Sequence, residues 1–145
     1  MTLLQRAIED SVTTLRGLAA LEDPLSRAAQ MVLRCLTSGR KLLVCGNGGS
    51  ASDATHLATE FLCRFVEDRR PYPAISLAAN GEFMTAVCND YGADEIFARQ
   101  VRGLGEKGDV LIALTARSFG ARLITSNRAD FEMISAYRKF QLEVW

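Results

Sequence analysis

The chain has 145 residues, of which 48% are hydrophobic and 23% charged, and its formal net charge at pH 7 is +0. This length is sufficient for one domain with a buried core, so we expect a single domain over residues 1–145. The neutral charge gives no support for a nucleic-acid partner, and the apolar runs are far shorter than the roughly 20 residues that span a bilayer.

Two amphipathic helices are predicted at the N-terminus. Between residues 3 and 20 the apolar side chains recur mostly at spacings of three and four, as on one face of a helix. A second helix is predicted from Asp23-Pro24 to Ser38-Gly39, where the glycine suits a C-cap. One small sheet has little area to cover this apolar surface, so we expect a homo-oligomer that forms through the N-terminal helices. The alternative is that both helices fold back over their own sheet.

The most informative segment lies between residues 41 and 56. The apolar run Leu42–Cys45 predicts a buried parallel strand, which breaks into Gly46–Gly49 and enters a helix predicted over 50–65. Glycines let backbone N–H groups approach a ligand closely, and the first helical turn carries unpaired N–H groups with partial positive charge. The pattern predicts an anion site for a phosphorylated small molecule. The alternative is one of the many glycine-rich turns that bind nothing.

Strands and helices alternate along the rest of the chain. The prolines within 69–73 predict an extended turn, which is followed by a strand over 74–79 and by helices near 82–90 and 94–104. Alternation of this kind is typical of parallel sheets. We therefore predict an α/β fold: a three-layer sandwich with a mainly parallel, doubly wound sheet, preceded by two N-terminal helices.

Residues 109–121 fit two structures. The apolar run Val110–Leu114 predicts a buried strand, which we prefer. In the alternative, Asp109 caps a helix that runs to Gly120, because few residues separate Thr115 from the next apolar run, and a parallel crossover needs about a dozen. The remaining predicted elements are a strand at 122–126, a helix at 129–138 and an edge strand at 141–145.

The cysteines indicate a reducing compartment. All four stand in apolar contexts without the spacing of a zinc cluster: Cys35, Cys45, Cys63 and Cys88. We predict that they are buried thiols. The amphipathic, acid-containing N-terminus is unlike a signal peptide. We therefore expect a cytoplasmic protein with no membrane partner.

Several separated motifs resemble one known family. The segment Cys45–Glu60 is similar to the signature of the sugar isomerase (SIS) domain, and more narrowly to that of the phosphoheptose isomerases. Further segments follow in the family's order, at 69–77, 86–92 and 95–115. The resemblance covers residues 1–115. The tail, residues 116–145, instead resembles the end of a PIN-domain nuclease, in a match that starts as early as Asp109, so the chain resembles a join of two α/β families, natural or engineered.

The resemblance implies an aldose–ketose isomerase that converts sedoheptulose 7-phosphate to D-glycero-D-manno-heptose 7-phosphate. In phosphoheptose isomerases the residues matching His56 and Glu60 help to hold a zinc ion, and the glutamate moves a proton between C1 and C2. The spacing of four residues places both side chains on one face of a helix. Isomerisation through an enediol needs such an acid–base group. The alternative is a surface hydrogen bond between the two side chains with no catalytic duty.

The resemblance also implies the contacts to the phosphorylated sugar: Asn47, Gly48, Gly49, Ser50, Asn89, Asp90 and Thr115. The family's second phosphate loop falls at about 115–120, where only Thr115 keeps the residue type. Its remaining metal ligands come from a C-terminal half that this sequence lacks. We therefore expect weakened or lost turnover and at most weak zinc binding.

Two other functions are open at this point. A catalytically silent sugar-phosphate-binding or scaffold module, or an engineered hybrid fold, has the same sequence features. A nuclease that uses Asp109 and Asp130 is less favoured, because the first acids of such a site have no counterpart in the chain.

Overall fold

The computed structural model describes residues 1–114, which belong to two compact units that divide between Met31 and Val32. The first unit contains α1 (Leu3–Gly17), a 3₁₀ helix (Leu18–Leu21) and the start of α2 (Glu22–Thr37). A capping box begins α1: Thr2 Oγ1 accepts from the N–H of Gln5, whose side chain accepts from the N–H of Thr2. The helix predicted over 3–20 thus ends in a tighter 3₁₀ turn.

In the described part of the second unit, residues 32–114, three parallel strands form one sheet in the order β2-β1-β3. Its strands are β1 (Leu42–Gly46), β2 (Ala74–Ser76) and β3 (Val110–Leu114). The prediction of β3 is confirmed and the alternative helix over 109–121 is wrong for its first six residues. Strand β2 is shorter than predicted, because the chain turns after Ser76, whose carbonyl accepts from the N–H of Ala79 at 3.4 Å.

Helices lie on both faces of the sheet: α3 (Gly49–Leu62) packs on one face and α5 (Glu95–Leu104) on the other. Helix α4 (Gly81–Tyr91) packs against α5. The side chains of β1 alternate: Leu42 and Val44 pack in one core cluster with alanines of α3, and Leu43 and Cys45 pack in the other with Val101 of α5. The predicted three-layer, doubly wound architecture is confirmed in the described part of the chain.

Asp109 lies at the amino-terminal ends of β1 and β3, opposite the glycine turn. Its side chain is 5% exposed and accepts from the N–H groups of Lys41 at 3.1 Å and Glu106 at 2.8 Å. The Lys41 ammonium lies 3.0 Å from the same carboxylate. These contacts join the starts of the two strands, so Asp109 has a structural role here and does not cap a helix.

The cysteine prediction is half correct. Cys35 and Cys45 are buried, whereas Cys63 and Cys88 are exposed, and all four thiols are free. Cys63 follows the last residue of α3 and Cys88 lies on an outward position of α4. Apolar neighbours in sequence did not distinguish the core face of a helix from its outer face.

Stability should fall in alkali because of Cys45. Burial raises the pKa of the Cys45 thiol from 9.0 to about 12. The unfolded chain ionises this thiol near pH 9 and the folded chain does not. The stabilisation is therefore complete below pH 9 and is lost as the pH rises towards 12, at about 1.4 kcal/mol per pH unit. Urea unfolding at pH 8, 9.5 and 10.5 should show a steeper decline for the wild type than for Cys45→Ala. Equal slopes would contradict this assignment.

Several predictions concern residues beyond 114 and lie outside the described residues. These are the strand at 122–126, the helix at 129–138, the edge strand at 141–145 and the PIN-like character of the tail. Within residues 1–114, no helix combines the length and apolar character required to cross a membrane.

Candidate functional site

The glycine turn connects β1 directly to α3. Gly46 ends the strand, and a Cβ atom at that position would lie 2.5 Å from the carbonyl oxygen of Ser50. Gly48 precedes the helix with φ +56°, a backbone conformation that favours glycine. The sequence thus needs glycine at these two positions for different reasons, one of space and one of backbone conformation.

No side chain of the described residues caps the N-terminus of α3. Two of its N–H groups are used within the turn, from Ser50 to the Asn47 carbonyl and from Ala51 to the Gly48 carbonyl, both at 3.0 Å. Within residues 1–114, the N–H groups of Gly48 and Gly49 donate to no carbonyl, and both residues are exposed. These two donors, at the positive end of the helix dipole, suit a phosphate group.

Ser50 contributes a hydroxyl to the same turn. The residue is 3% exposed, and its hydroxyl makes no hydrogen bond to any other described residue. Because it has no partner among the described residues, this hydroxyl is available to donate a hydrogen bond to a bound anion.

The turn lies where open α/β sheets bind ligands. Strand β1 is central, and the connection through α3 leads to β2 on one side, whereas the connection through α4 and α5 leads to β3 on the other. The crevice at the carboxyl ends of the strands, where the connections diverge, is the usual ligand position in this class of fold.

The predicted acid–base pair is formed on α3. His56 Nε2 lies 3.1 Å from Glu60 Oε1, as expected for residues one helical turn apart. The His56 side chain is 76% exposed and that of Glu60 is 29% exposed. The pair is therefore open to a substrate, and Glu60 is the more sheltered of its two members.

The His56–Glu60 pair and the glycine turn lie at different positions along the axis of α3. Glu60 lies eleven positions after Gly49, which at 1.5 Å per residue is about 16.5 Å along the helix axis. Helical side chains lean towards the N-terminus, which shortens the distance between the functional groups. A ligand held by both must be elongated.

The structure describes only some of the remaining residues predicted to contact the sugar. Asn89 and Asp90 lie exposed near the end of α4, where Asn89 Nδ2 donates to Asp90 Oδ1 at 2.9 Å. Among the described residues, neither side chain is hydrogen-bonded to the glycine turn. Thr115 lies outside the described residues.

Among the described residues, His56 and Glu60 supply only part of the ligand set that zinc needs. An imidazole nitrogen and a carboxylate oxygen are ordinary zinc ligands, but a zinc site takes three or four protein ligands. Within residues 1–114, no group of three His, Cys, Asp or Glu side chains could hold a metal ion. His56 and Glu60 alone therefore do not make a complete zinc site.

Sequence reasoning missed a contact to the last turn of α3. Arg69 donates to the carbonyls of Glu60 at 2.6 Å and Phe61 at 2.9 Å. The Arg-Arg-Pro sequence indicated a turn, and no local signal showed which arginine would reach back to the helix.

Known proteins match most of the chain. The model of the SIS domain family matches residues 8–129, so the match continues past Thr115, where we expected the resemblance to end. The phosphoheptose isomerase of Shewanella halifaxensis (strain HAW-EB4) is 41% identical over 121 residues, which are 83% of this chain and 61% of that protein. That of Shewanella sediminis (strain HAW-EB3) is 44% identical over 110 residues, 76% of this chain and 56% of that protein.

Two solved structures have the same fold. A phosphoheptose isomerase from Neisseria gonorrhoeae superposes with a TM-score of 0.72 at 33% identity and covers 94% of this chain and 71% of its own. One from Francisella tularensis gives 0.75 at 33% identity, with coverages of 94% and 70%. The chain spans about three fifths of the length of the Shewanella relatives. The sequence match and both superpositions agree that the chain belongs to the SIS domain family.

Proposed function

We propose that this chain binds a phosphorylated seven-carbon sugar and interconverts sedoheptulose 7-phosphate and D-glycero-D-manno-heptose 7-phosphate, with weakened turnover. The observation that carries the proposal is that the N–H groups of Gly48 and Gly49 have no acceptor within residues 1–114 and lie beside the buried Ser50 hydroxyl. The named activity of the relatives supports the substrate class.

The separation along α3 supports a long substrate. The phosphate of this sugar is on C7 and the reacting carbons are C1 and C2, at opposite ends of the carbon chain. The glycine turn likewise lies at the N-terminus of α3 and Glu60 in its last turn, with His56 one turn before Glu60. An extended molecule suits this spacing better than a three-carbon phosphate.

Glu60 would act as the base. Its carboxylate takes a proton from C1 of the ketose, and the electron pair forms the C1–C2 double bond of an enediol as the carbonyl oxygen on C2 gains a proton. Return of the proton to C2, with loss of the O1 proton, gives the C1 aldehyde. His56, at 3.1 Å from Glu60, would orient the carboxylate and exchange protons with the substrate oxygens on C1 and C2.

A homo-oligomer through the N-terminal helices is part of the proposal. No residue of α1 is buried in the described chain, and its exposed apolar residues include Leu4 at 69%, Ile8 at 53% and Leu15 at 65%. Their spacing of four and seven residues places them on one helix face, which a second copy would cover. Light scattering should give a mass above that of the monomer, and Ile8→Asp should reduce it. A monomeric wild type contradicts this part.

Weak zinc binding and a cytoplasmic location complete the proposal. A zinc ion would use His56 and Glu60, so a zinc titration should move the NMR signals of the His56 ring in the wild type and less in Glu60→Gln. The four free thiols fit a reducing compartment.

The direct test is turnover of sedoheptulose 7-phosphate by the purified chain. Turnover of the phosphorylated sugar, without turnover of the same sugar lacking its phosphate, supports the isomerase. Tight binding of the substrate without turnover supports the alternative, a catalytically silent binding module. If the chain neither binds sedoheptulose 7-phosphate nor turns it over, both the isomerase and the binding-module hypotheses are overturned.

A further inference from the structure

We infer that Arg69 is a positioning residue for Glu60, because its guanidinium closes the last turn of the helix that carries the carboxylate. The inference rests on the proposed function, in which Glu60 is the base.

The last turn of α3 has few partners of its own. The final carbonyls of a helix lack N–H partners within it, and α3 has no basic residue in its last turn. The backbone of Cys63 is not helical, with φ −92° and ψ −95°. Beyond it, Phe65 and Val66 are 76% and 71% exposed, so these two side chains do not cover this end of the helix.

Arg69 supplies the missing donors. Its Nη2 donates to the Glu60 carbonyl at 2.6 Å, and its Nη1 donates to the Phe61 carbonyl at 2.9 Å. The Phe61 carbonyl also accepts from the N–H of Tyr72 at 3.0 Å. A guanidinium at a helix C-terminus has a favourable charge as well as fitting geometry, because the dipole is negative there.

The guanidinium is itself held by the core. Its carbon lies 4.7 Å from the centroid of the Tyr72 ring, and that ring packs against the buried cluster between α3 and the sheet. The next residue, Pro73, accepts from the N–H of Leu42 in β1 at 2.9 Å. A continuous set of contacts therefore connects the central strand to the backbone of Glu60.

This arrangement has a consequence for the acid–base pair. The 3.1 Å contact between His56 and Glu60 needs helical backbone through residue 60. Helix ends fray when their carbonyls are unpaired, and unwinding of the last turn would carry Glu60 away from His56. Arg69 therefore acts on the reaction through the position of Glu60 and without touching the substrate.

Arg70 is a matched control. Its guanidinium carbon lies 5.5 Å from the same Tyr72 centroid, it carries the same charge, and it is exposed. Among the described residues, its side chain donates to no carbonyl of α3. Arg69→Gln and Arg70→Gln thus remove the same charge from neighbouring positions, and only the first removes the helix contacts.

The test uses the single histidine of the chain as a reporter. The ring resonances of His56 are recorded for the wild type, Arg69→Gln, Arg69→Lys, Arg70→Gln and Glu60→Gln, with circular dichroism as the check on folding. We expect Arg69→Gln to move the signals towards their Glu60→Gln positions and Arg69→Lys to move them less. Arg70→Gln should leave them unchanged. Turnover should fall about tenfold or more in kcat for Arg69→Gln, with KM little changed.

The outcomes separate positioning from stability. If Arg69→Gln lowers the melting temperature but leaves the His56 signals and kcat as in the wild type, Arg69 is only a helix cap and the inference is overturned. Equal shifts in Arg70→Gln also overturn it. If Arg69→Gln does not fold, the same criteria apply to Arg69→Lys. Should the wild type have no turnover, the proposed function fails, and the His56 signals still decide whether Arg69 positions Glu60.

Discussion

Glu60→Gln should lower kcat for sedoheptulose 7-phosphate by at least about 100-fold and leave KM nearly unchanged. The glutamine keeps the size and hydrogen-bonding reach of the side chain but cannot take a proton from C1, and general acid–base groups contribute about 10²–10⁴-fold to rate. Because Glu60 lies far along α3 from the glycine turn, binding of the phosphate should not depend on its charge. Steady-state kinetics with a discontinuous assay of the aldose product measures both constants.

Glu67→Gln is the control for this substitution. Glu67 is an exposed carboxylate that follows α3 and makes no contact with His56 in the described structure. Its replacement removes the same charge and should change neither kcat nor KM. Full activity of Glu60→Gln would show that another group is the base, and the isomerase mechanism proposed for this chain would then be abandoned.

Gly46→Ala should destabilise the fold by about 1–3 kcal/mol and abolish binding of the sugar phosphate. The new Cβ would lie 2.5 Å from the Ser50 oxygen, 2.7 Å from the Ser50 carbonyl carbon and 2.8 Å from its Cβ. Two of these three atoms belong to the backbone, so the clash is relieved only by moving the turn or the start of α3. Urea unfolding and calorimetric titration with sedoheptulose 7-phosphate measure the two effects.

Gly49→Ala is the matched control in the same turn. A Cβ atom at Gly49 would have no described neighbour within 4 Å, and Gly49 has no positive φ. Because alanine restricts the unfolded chain and suits a helix, this variant should be as stable as the wild type or more stable by up to about 1 kcal/mol. If Gly46→Ala and Gly49→Ala have the same free energy of unfolding, the close approach of Gly46 to Ser50 does not exclude a side chain at position 46.

The parts of the fold that sequence predicted best are those fixed by local pattern. Strands β1 and β3 are short apolar runs because a parallel sheet is covered on both faces. The change from strand to helix at Gly46–Gly49 is visible because glycine is needed there for space and for positive φ. The i,i+4 spacing of His56 and Glu60 correctly predicted their contact.

The parts that sequence missed depend on contacts between distant residues. Nothing in the local pattern distinguishes Arg69 from Arg70, since only the fold brings one of them to the end of α3. The early end of α3 at Leu62 and the exposure of Cys63 have the same origin. Helix boundaries depend on which carbonyls find partners, and that is decided by packing.

An NMR titration of the backbone amides with sedoheptulose 7-phosphate tests the proposed phosphate site most directly. The ¹⁵N–¹H signals of Gly48, Gly49 and Ser50 should shift most, and inorganic phosphate should shift the same signals by smaller amounts. If the sugar phosphate binds while these three signals stay in place, or if it does not bind at all, the glycine turn is not a phosphate site and the proposed function is contradicted.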